Sequence, residues 1–187
     1  MATDRAFCRF THPPAGTSLS IGEVPSGGMC LSSFVLLRDR SDAHRVLLGH
    51  LDPRAPWDRI GALDAQRAEI HSKGWMIPSS HLIFGEAPEA AARRILVEQL
   101  GLSGDRPLEA PLIYSEVATP RRFPDLSNHW DIGFLYSGPL SDSELPRTPA
   151  WKDLAFVDTR ILKREEIARS HGDVLEAAGL LPRSPPA

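Results

Sequence analysis

From Ile77 to Leu102 the chain reads IPSSHLIFGEAPEAAARRILVEQLGL, a polar loop feeding an amphipathic helix. Ala92, Leu96 and Leu100 recur every fourth residue and make an apolar stripe, while Arg94 and Glu98 share another face. Pro88 suits a first helical turn and Gly101 allows a left-handed exit, so the spacing predicts a helix over Pro88 to Leu100. Upstream, Met29 to Arg38 (MCLSSFVLLR) and Val46 to His50 (VLLGH) read as two strands of a hairpin around the polar Asp39 to Arg45 turn. Leu51 to Glu69 is a long insertion carrying Pro53, Pro56 and Trp57, with a short helix in ALDAQRAEI. Gly74 to Pro78 is expected to be a short strand delivering the loop. Leu112 to Ala118, His129 to Tyr136 and Leu154 to Val157 are further strand candidates, with PRRFPDLS between the first two. A last helix is expected over Lys163 to Ala178, with Glu165 and Glu166 in its first turn.

Strands, helix, strands, helix in that order predict an α+β architecture, an α/β/α sandwich with helices packed on a mixed sheet. The first 27 residues are rich in Pro, Gly, Ser and Thr and read as an N-terminal arm; residues 28–180 form the domain, and 181–187 a tail.

The length of 187 residues suits one domain, and 42% hydrophobic with 24% charged residues is ordinary for a globular protein. A net charge of -3 gives no basic field for a nucleic-acid polymer, although Arg121 and Arg122 make a local patch. Two cysteines, Cys8 and Cys30, are too few for a disulfide framework. The sequence has no secretory pattern at its N-terminus and no apolar run of membrane-spanning length, so a cytoplasmic setting without membrane contact is expected. A homodimer is compatible with all of this.

The spacing of the loop and helix resembles the Nudix box, G-x5-E-x7-R-E-U-x-E-E-x-G-U, where U is a bulky aliphatic residue. Glu86, Arg94, Leu96, Glu98, Gly101 and Leu102 match; Ser80, Ile95 and Gln99 stand where the pattern has a glycine and two glutamates. Pro78 and Trp75 just upstream also resemble the family. More distantly, the chain is similar to GDP-mannose mannosyl hydrolase, a Nudix relative whose box also has an aliphatic residue beside the arginine; NHWDIGF and ELPRTPAWKDL carry that likeness. This chain lacks the relative's glutamate at Gln99 and its loop histidine, and has only Arg147 to Asp153 before the last strand.

The resemblance implies a hydrolase of a nucleoside diphosphate linked to another moiety, a nucleotide sugar among the candidates, with Mg2+ or Mn2+ as cofactor. Glu86, Arg94 and Glu98 would be catalytic, Glu98 and Glu86 would hold metal, and Ser79, Ser80, His81 and Asp131 would contact substrate. The helix face Ile95, Glu98, Gln99 carries one formal charge instead of three, so weak metal binding is expected, and restoring both acids is expected to strengthen it. Plainer roles stand beside these. Glu86 reads equally as a helix cap paired with Arg94, Glu98 as an i to i+4 partner of Arg94, and Asp131 as a strand-end carboxylate. His50, His71, His81 and His129 are candidate bases or ligands, and only His81 lies in the box loop. Trp57, Trp75, Trp130 and Phe123 could stack a base or fill a core. No G-x-S-x-G motif surrounds Ser115 or Cys30. The competing reading is a catalytically impaired protein of the same fold that binds a nucleotide-like ligand or a protein partner.

Overall fold

The computed structural model describes residues 9–10, 29–118 and 129–182. In chain order the elements are β1 (Arg9–Phe10), β2 (Met29–Asp39), β3 (Arg45–Leu51), α1 (Trp57–Ile60), α2 (Ala65–His71), β4 (Ser79–His81), α3 (Pro88–Glu98), β5 (Leu112–Ala118), β6 (His129–Leu140), β7 (Trp151–Asp158) and α4 (His171–Ala177). Among the described residues one mixed sheet runs β5-β6-β2-β3-β7, with β1 and β4 also paired to β2. The β2–β6 pair is parallel; the β5–β6, β2–β4 and β3–β7 pairs are antiparallel. The expected α+β sandwich with a mixed sheet is what the chain forms.

Alternation along the strands divides the core. Val35 and Leu37 of β2, Leu47 and Leu51 of β3 and Tyr136 and Leu140 of β6 pack with Ala92, Ile95, Leu96 and Leu100 on one face. Phe34, Leu36, Val46, Leu48 and Leu135 pack with Val174 and Leu175 of α4 on the other. Both helices therefore lie on the sheet through apolar residues that are withdrawn from water.

The box helix starts at Pro88 as expected and ends at Glu98, two residues early, because Gln99 turns inward as the C-cap. Gly101 takes φ 62°, and the Leu102 N–H returns to the Leu96 carbonyl at 2.9 Å. Trp57 is core, edge-on to Trp151 with ring centroids 5.1 Å apart. Trp75 lies against His50 with ring centroids 4.0 Å apart.

Two expected elements differ. Gly74 to Pro78 is not a strand: Trp75 bridges Ile167 and Met76 bridges Gly49, so the segment changes partner at successive residues, and Pro78 has no N–H to continue a ladder. Lys163 to Ala178 is not one helix. A 3-10 turn at Arg164–Glu166 gives way to an extended stretch at Ile167 and then to left-handed Arg169 and Ser170, with φ 55° and 57°, before α4 begins. The bridge from Ile167 to Trp75 takes backbone groups that a continuous helix would have used. Boundaries also move: β6 runs on from Tyr136 to Leu140, and β7 starts at Trp151, before Leu154. Nearly all of the N-terminal arm, PRRFPDLS with Arg121, Arg122 and Phe123, and residues 183–187 lie outside the described residues.

Gly49 is where the fold requires a missing side chain. A Cβ there would come within 2.4 Å of Trp151 Cε3 and 2.9 Å of Leu154 Cδ2 across the β3–β7 pair. Gly49→Ala is expected to cost roughly 1–3 kcal/mol by overpacking, read as a lower urea midpoint at unchanged slope.

Candidate functional site

The residues of the box and its loop separate into a brace and a cleft. In the brace, Arg94 grips Glu86 with two parallel bonds, Nε to Oε1 and Nη2 to Oε2, both 2.8 Å. Glu86 Oε2 also accepts the Ile83 N–H at 2.9 Å, which closes the turn before the helix. The same guanidinium donates to the His81 carbonyl at 3.1 Å and to Ser80 Oγ at 3.3 Å. Both side chains are largely enclosed, with 10% and 14% exposure, so the pair holds the loop on the helix.

Gln99 holds the other end of the helix. Its Oε1 accepts the Ser79 N–H at 3.2 Å, and its Nε2 donates to the carbonyls of Ser79 and Ile60, each at 2.7 Å. Its own carbonyl accepts from Thr148 Oγ1 at 2.7 Å and from Trp151 Nε1 at 3.0 Å. Gln99 and Ile95 are both 0% exposed, Ile95 within the apolar layer under the sheet. Glu98, the last residue of α3, is partly exposed.

Mg2+ and Mn2+ favour clustered hard oxygen donors, and the family's metal centre draws them from these helix positions. The residues present do not fit it: Ile95 has no donor, both polar side-chain atoms of Gln99 are bound to backbone, and the Glu86 carboxylate is doubly bonded to Arg94. Among the described residues no group of three or more His, Cys, Asp or Glu side chains is placed to hold a metal ion. The expectation that glutamates at 95 and 99 would strengthen metal binding is corrected here, because both positions face the interior.

The cleft lies on the sheet face that carries α4. Cys30, Ser32 and Phe34 of β2, Ser79 to His81 of β4 and Asp131 to Gly133 of β6 line it, together with Tyr114 and Glu116 of β5, Arg67 and His71 of α2, and Arg169 to His171, Asp173 and Val174. It therefore gathers all four expected substrate contacts, Ser79, Ser80, His81 and Asp131, and none of Glu86, Arg94 and Glu98. Asp131 sits opposite Glu116 in the β5–β6 register, and the Tyr114 hydroxyl donates to Glu116. Ser80 Oγ is occupied, donating to the His81 carbonyl at 3.1 Å and accepting from Arg94, whereas Ser79 Oγ is buried without a partner.

His81 bridges two walls, with Nδ1 3.0 Å from Ser32 Oγ and Nε2 3.4 Å from Arg169 Nη2. A guanidinium only donates, so Nε2 accepts and the neutral ring carries its proton on Nδ1. Burial, with Arg169 alongside, pushes the His81 pKa down to about 3. Burial and the positive charges of Arg169 and Arg67 likewise push His71 down to about 4. His171, enclosed behind them, accepts the Ile77 N–H on Nδ1 at 3.0 Å and is held well below the usual histidine range, by burial first.

The sequence reading passed over Arg67, Arg169 and His171. The one signal available was Gly172 inside a supposed continuous helix, a residue that argues for a break there.

No family model and no curated protein matches the sequence. Solved structures do resemble the fold. A mutT/nudix family protein from Listeria innocua aligns over 80% of this chain and 91% of its own, with TM-score 0.53 and 18% identity. The NUDIX domain of Shewanella oneidensis NrtR, solved in complex with ADP ribose, aligns over 90% of this chain and 92% of its own, with TM-score 0.52 and 15% identity. A MutT protein from Methanosarcina mazei aligns over 85% and 94%, with TM-score 0.51 and 14% identity. Sheet order, the helix after the β4 loop and these superpositions lead to one conclusion: the chain has the Nudix fold.

Proposed function

We propose that this protein binds a nucleotide-derived anionic small molecule, a nucleoside diphosphate carrying a further group, and that the family's metal-dependent hydrolysis is impaired in it. The observation that carries this reading is the fate of the two substituted box positions, Ile95 built into the core and Gln99 bonded to the Ser79 and Ile60 backbone. A catalytic helix face has become a structural one, while the cleft beyond it keeps serines, a histidine, acids and two arginines. The cavity is about 150 Å³, smaller than the roughly 300–1,000 Å³ of sites that engulf a drug-sized ligand. It suits one end of such a molecule, with the remainder in the open mouth. The net charge of -3 supports a small ligand over a nucleic-acid polymer, and no helix among the described residues is long and apolar enough to cross a membrane. The ADP ribose bound by the Shewanella domain supplies the first chemistry to test.

The second reading, a hydrolase with Glu98 as its remaining helix ligand, is favoured by the partial exposure of that residue at the end of α3. One experiment separates the two. ADP-ribose and nucleotide sugars are screened by thermal melting with and without Mg2+ or Mn2+, and the same mixtures are followed by phosphorus NMR for product. Binding predicts a melting shift that needs no metal, persists in Glu98→Gln and accompanies no product. Metal-dependent turnover that disappears in Glu98→Gln, with melting unchanged, would establish the hydrolase instead.

A further inference from the structure

Arg169 lies at the floor of the cleft in an unusual state. Its two contacts are long, 3.5 Å from Nη1 to the Gly61 carbonyl and 3.4 Å from Nη2 to His81 Nε2, and it forms no ion pair among the described residues. Arg67, on α2, lines the same cleft and likewise has no ion pair among them; only its backbone N–H is engaged, by the Asp64 carboxylate that caps the helix. A guanidinium carries five donors, and half-burying one, as at Arg169, with so few strong bonds is costly. The half-buried Arg67 beside it adds like-charge repulsion. Burial and the charge of Arg67 bring the Arg169 pKa down to about 10, with the repulsion from Arg67 larger than the attraction from Asp131. The backbone adds strain, because Arg169 and Ser170 both hold positive φ without being glycine. Ser79 Oγ, buried and unpartnered, lines the same cavity.

We propose that Arg67 and Arg169 form an oxyanion seat that takes a phosphate group of the ligand, with the Ser79 hydroxyl as a further donor. Neither arginine has an ion pair among the described residues although Asp131, Glu116 and Asp173 line the same cleft, and a bound phosphate would supply that pairing. His71 and His81 are neutral at pH 7, so the positive charge of the seat comes from the two arginines, and the Nδ1–H of His81 stays engaged with Ser32. The seat is separate from the helix glutamates and from the Arg94–Glu86 brace, so it needs no divalent metal. The left-handed pair at 169 and 170 lies immediately before α4, and both residues line the cavity.

This inference rests on reading the cleft as a ligand site; its first test uses neither nucleoside nor metal, and a second repeats the melts with the nucleotide derivatives. Inorganic phosphate, acetate and chloride at equal ionic strength are compared by thermal melting and by calorimetry on the full chain, Arg169→Met and Arg67→Met. Phosphate is expected to raise the melting temperature of the unaltered chain above its value in chloride. Each variant should bind phosphate roughly tenfold or more weakly. In chloride, Arg169→Met should melt no lower than the unaltered chain, because a half-buried guanidinium without an ion pair among the described residues has been removed. If Arg169→Met does not fold, Arg67→Met carries the same comparison from the neighbouring helix. Equal phosphate shifts in all three proteins, or acetate acting as well as phosphate, would overturn the seat. A nucleotide derivative that stabilises Arg169→Met as fully as the unaltered chain would overturn the seat and leave the ligand-binding reading standing. A phosphate effect confined to the unaltered chain, with no nucleotide derivative bound, would do the reverse.

Discussion

Ile95→Glu is expected to unfold the domain at neutral pH or leave it only marginally stable. The side chain it replaces is 0% exposed, in the apolar cluster that includes Val35, Leu37, Leu96 and Leu100. Burying an uncompensated charge costs several kcal/mol, against a total stability of about 5–15 kcal/mol for a typical domain. Gln99→Glu should also be severe, because the group that now donates to two carbonyls at 2.7 Å would face them with an acceptor. Urea denaturation with and without Mn2+ checks both. A folded Ile95→Glu protein whose stability rises with Mn2+ would show that the helix face still forms a metal centre and would reverse the structural reading of these positions.

The second large effect is on acid stability. His71, His81 and His171 are all held below the ordinary histidine value of 6.5, by burial first. A base whose folded pKa is depressed favours folding where the unfolded chain would also be neutral. The stability is therefore complete above about pH 6.5, and it is lost as pH falls from there toward the folded values of about 3 for His81 and about 4 for His71. In that window the unfolded chain binds protons that the folded one does not. Each histidine contributes a slope of up to about 1.4 kcal/mol per pH unit, so three together remove several kcal/mol between pH 6.5 and 5. Carboxylates such as Asp52 and Asp158, lowered to about 2 by hydrogen bonds from Arg54 and Arg160, act the same way but only below 3.8. Urea midpoints across pH 4–8 should thus start falling near pH 6.5. His171→Gln, whose amide oxygen can still accept the Ile77 N–H, should make the fall shallower by about one proton. A flat profile down to pH 4 would contradict the enclosed histidines.

The strands and the box helix were legible because their signals are local. The apolar run FVLL in β2, the stripe of Ala92, Leu96 and Leu100, and the Pro88 and Gly101 punctuation each act within a few residues. The burial of Ile95 and Gln99 was legible too: 92, 95, 96 and 99 repeat at core spacing on a helix, a pattern that the box template obscured by assigning two of these positions to metal. The cleft was only half readable. Ser79, Ser80 and His81 belong to it and are marked by their place in the box loop, and Asp131 by its apolar WDIGF setting, but Arg67 and Arg169 meet only through tertiary packing of α2 against the segment before α4. Nothing in the spacing of two residues a hundred positions apart encodes their meeting, and the break at Arg169 depends on Ile167 reaching across to Trp75.

The parallel pairing of β2 with β6 sets an order on assembly. Met29 lies opposite Trp130, so this ladder spans about 100 residues of chain, whereas the β2–β3 hairpin closes across a short turn. Contacts so distant in sequence form late and slow the reaction, since the entropy of closing the loop is spent before any burial repays it. A chain emerging from the ribosome can fold β2, β3, β4 and α3 into a partial sheet whose β6 edge stays open until residue 140 is made. That edge, carried by the apolar run FVLLR, is the stretch of backbone most exposed to pairing with another chain while synthesis proceeds.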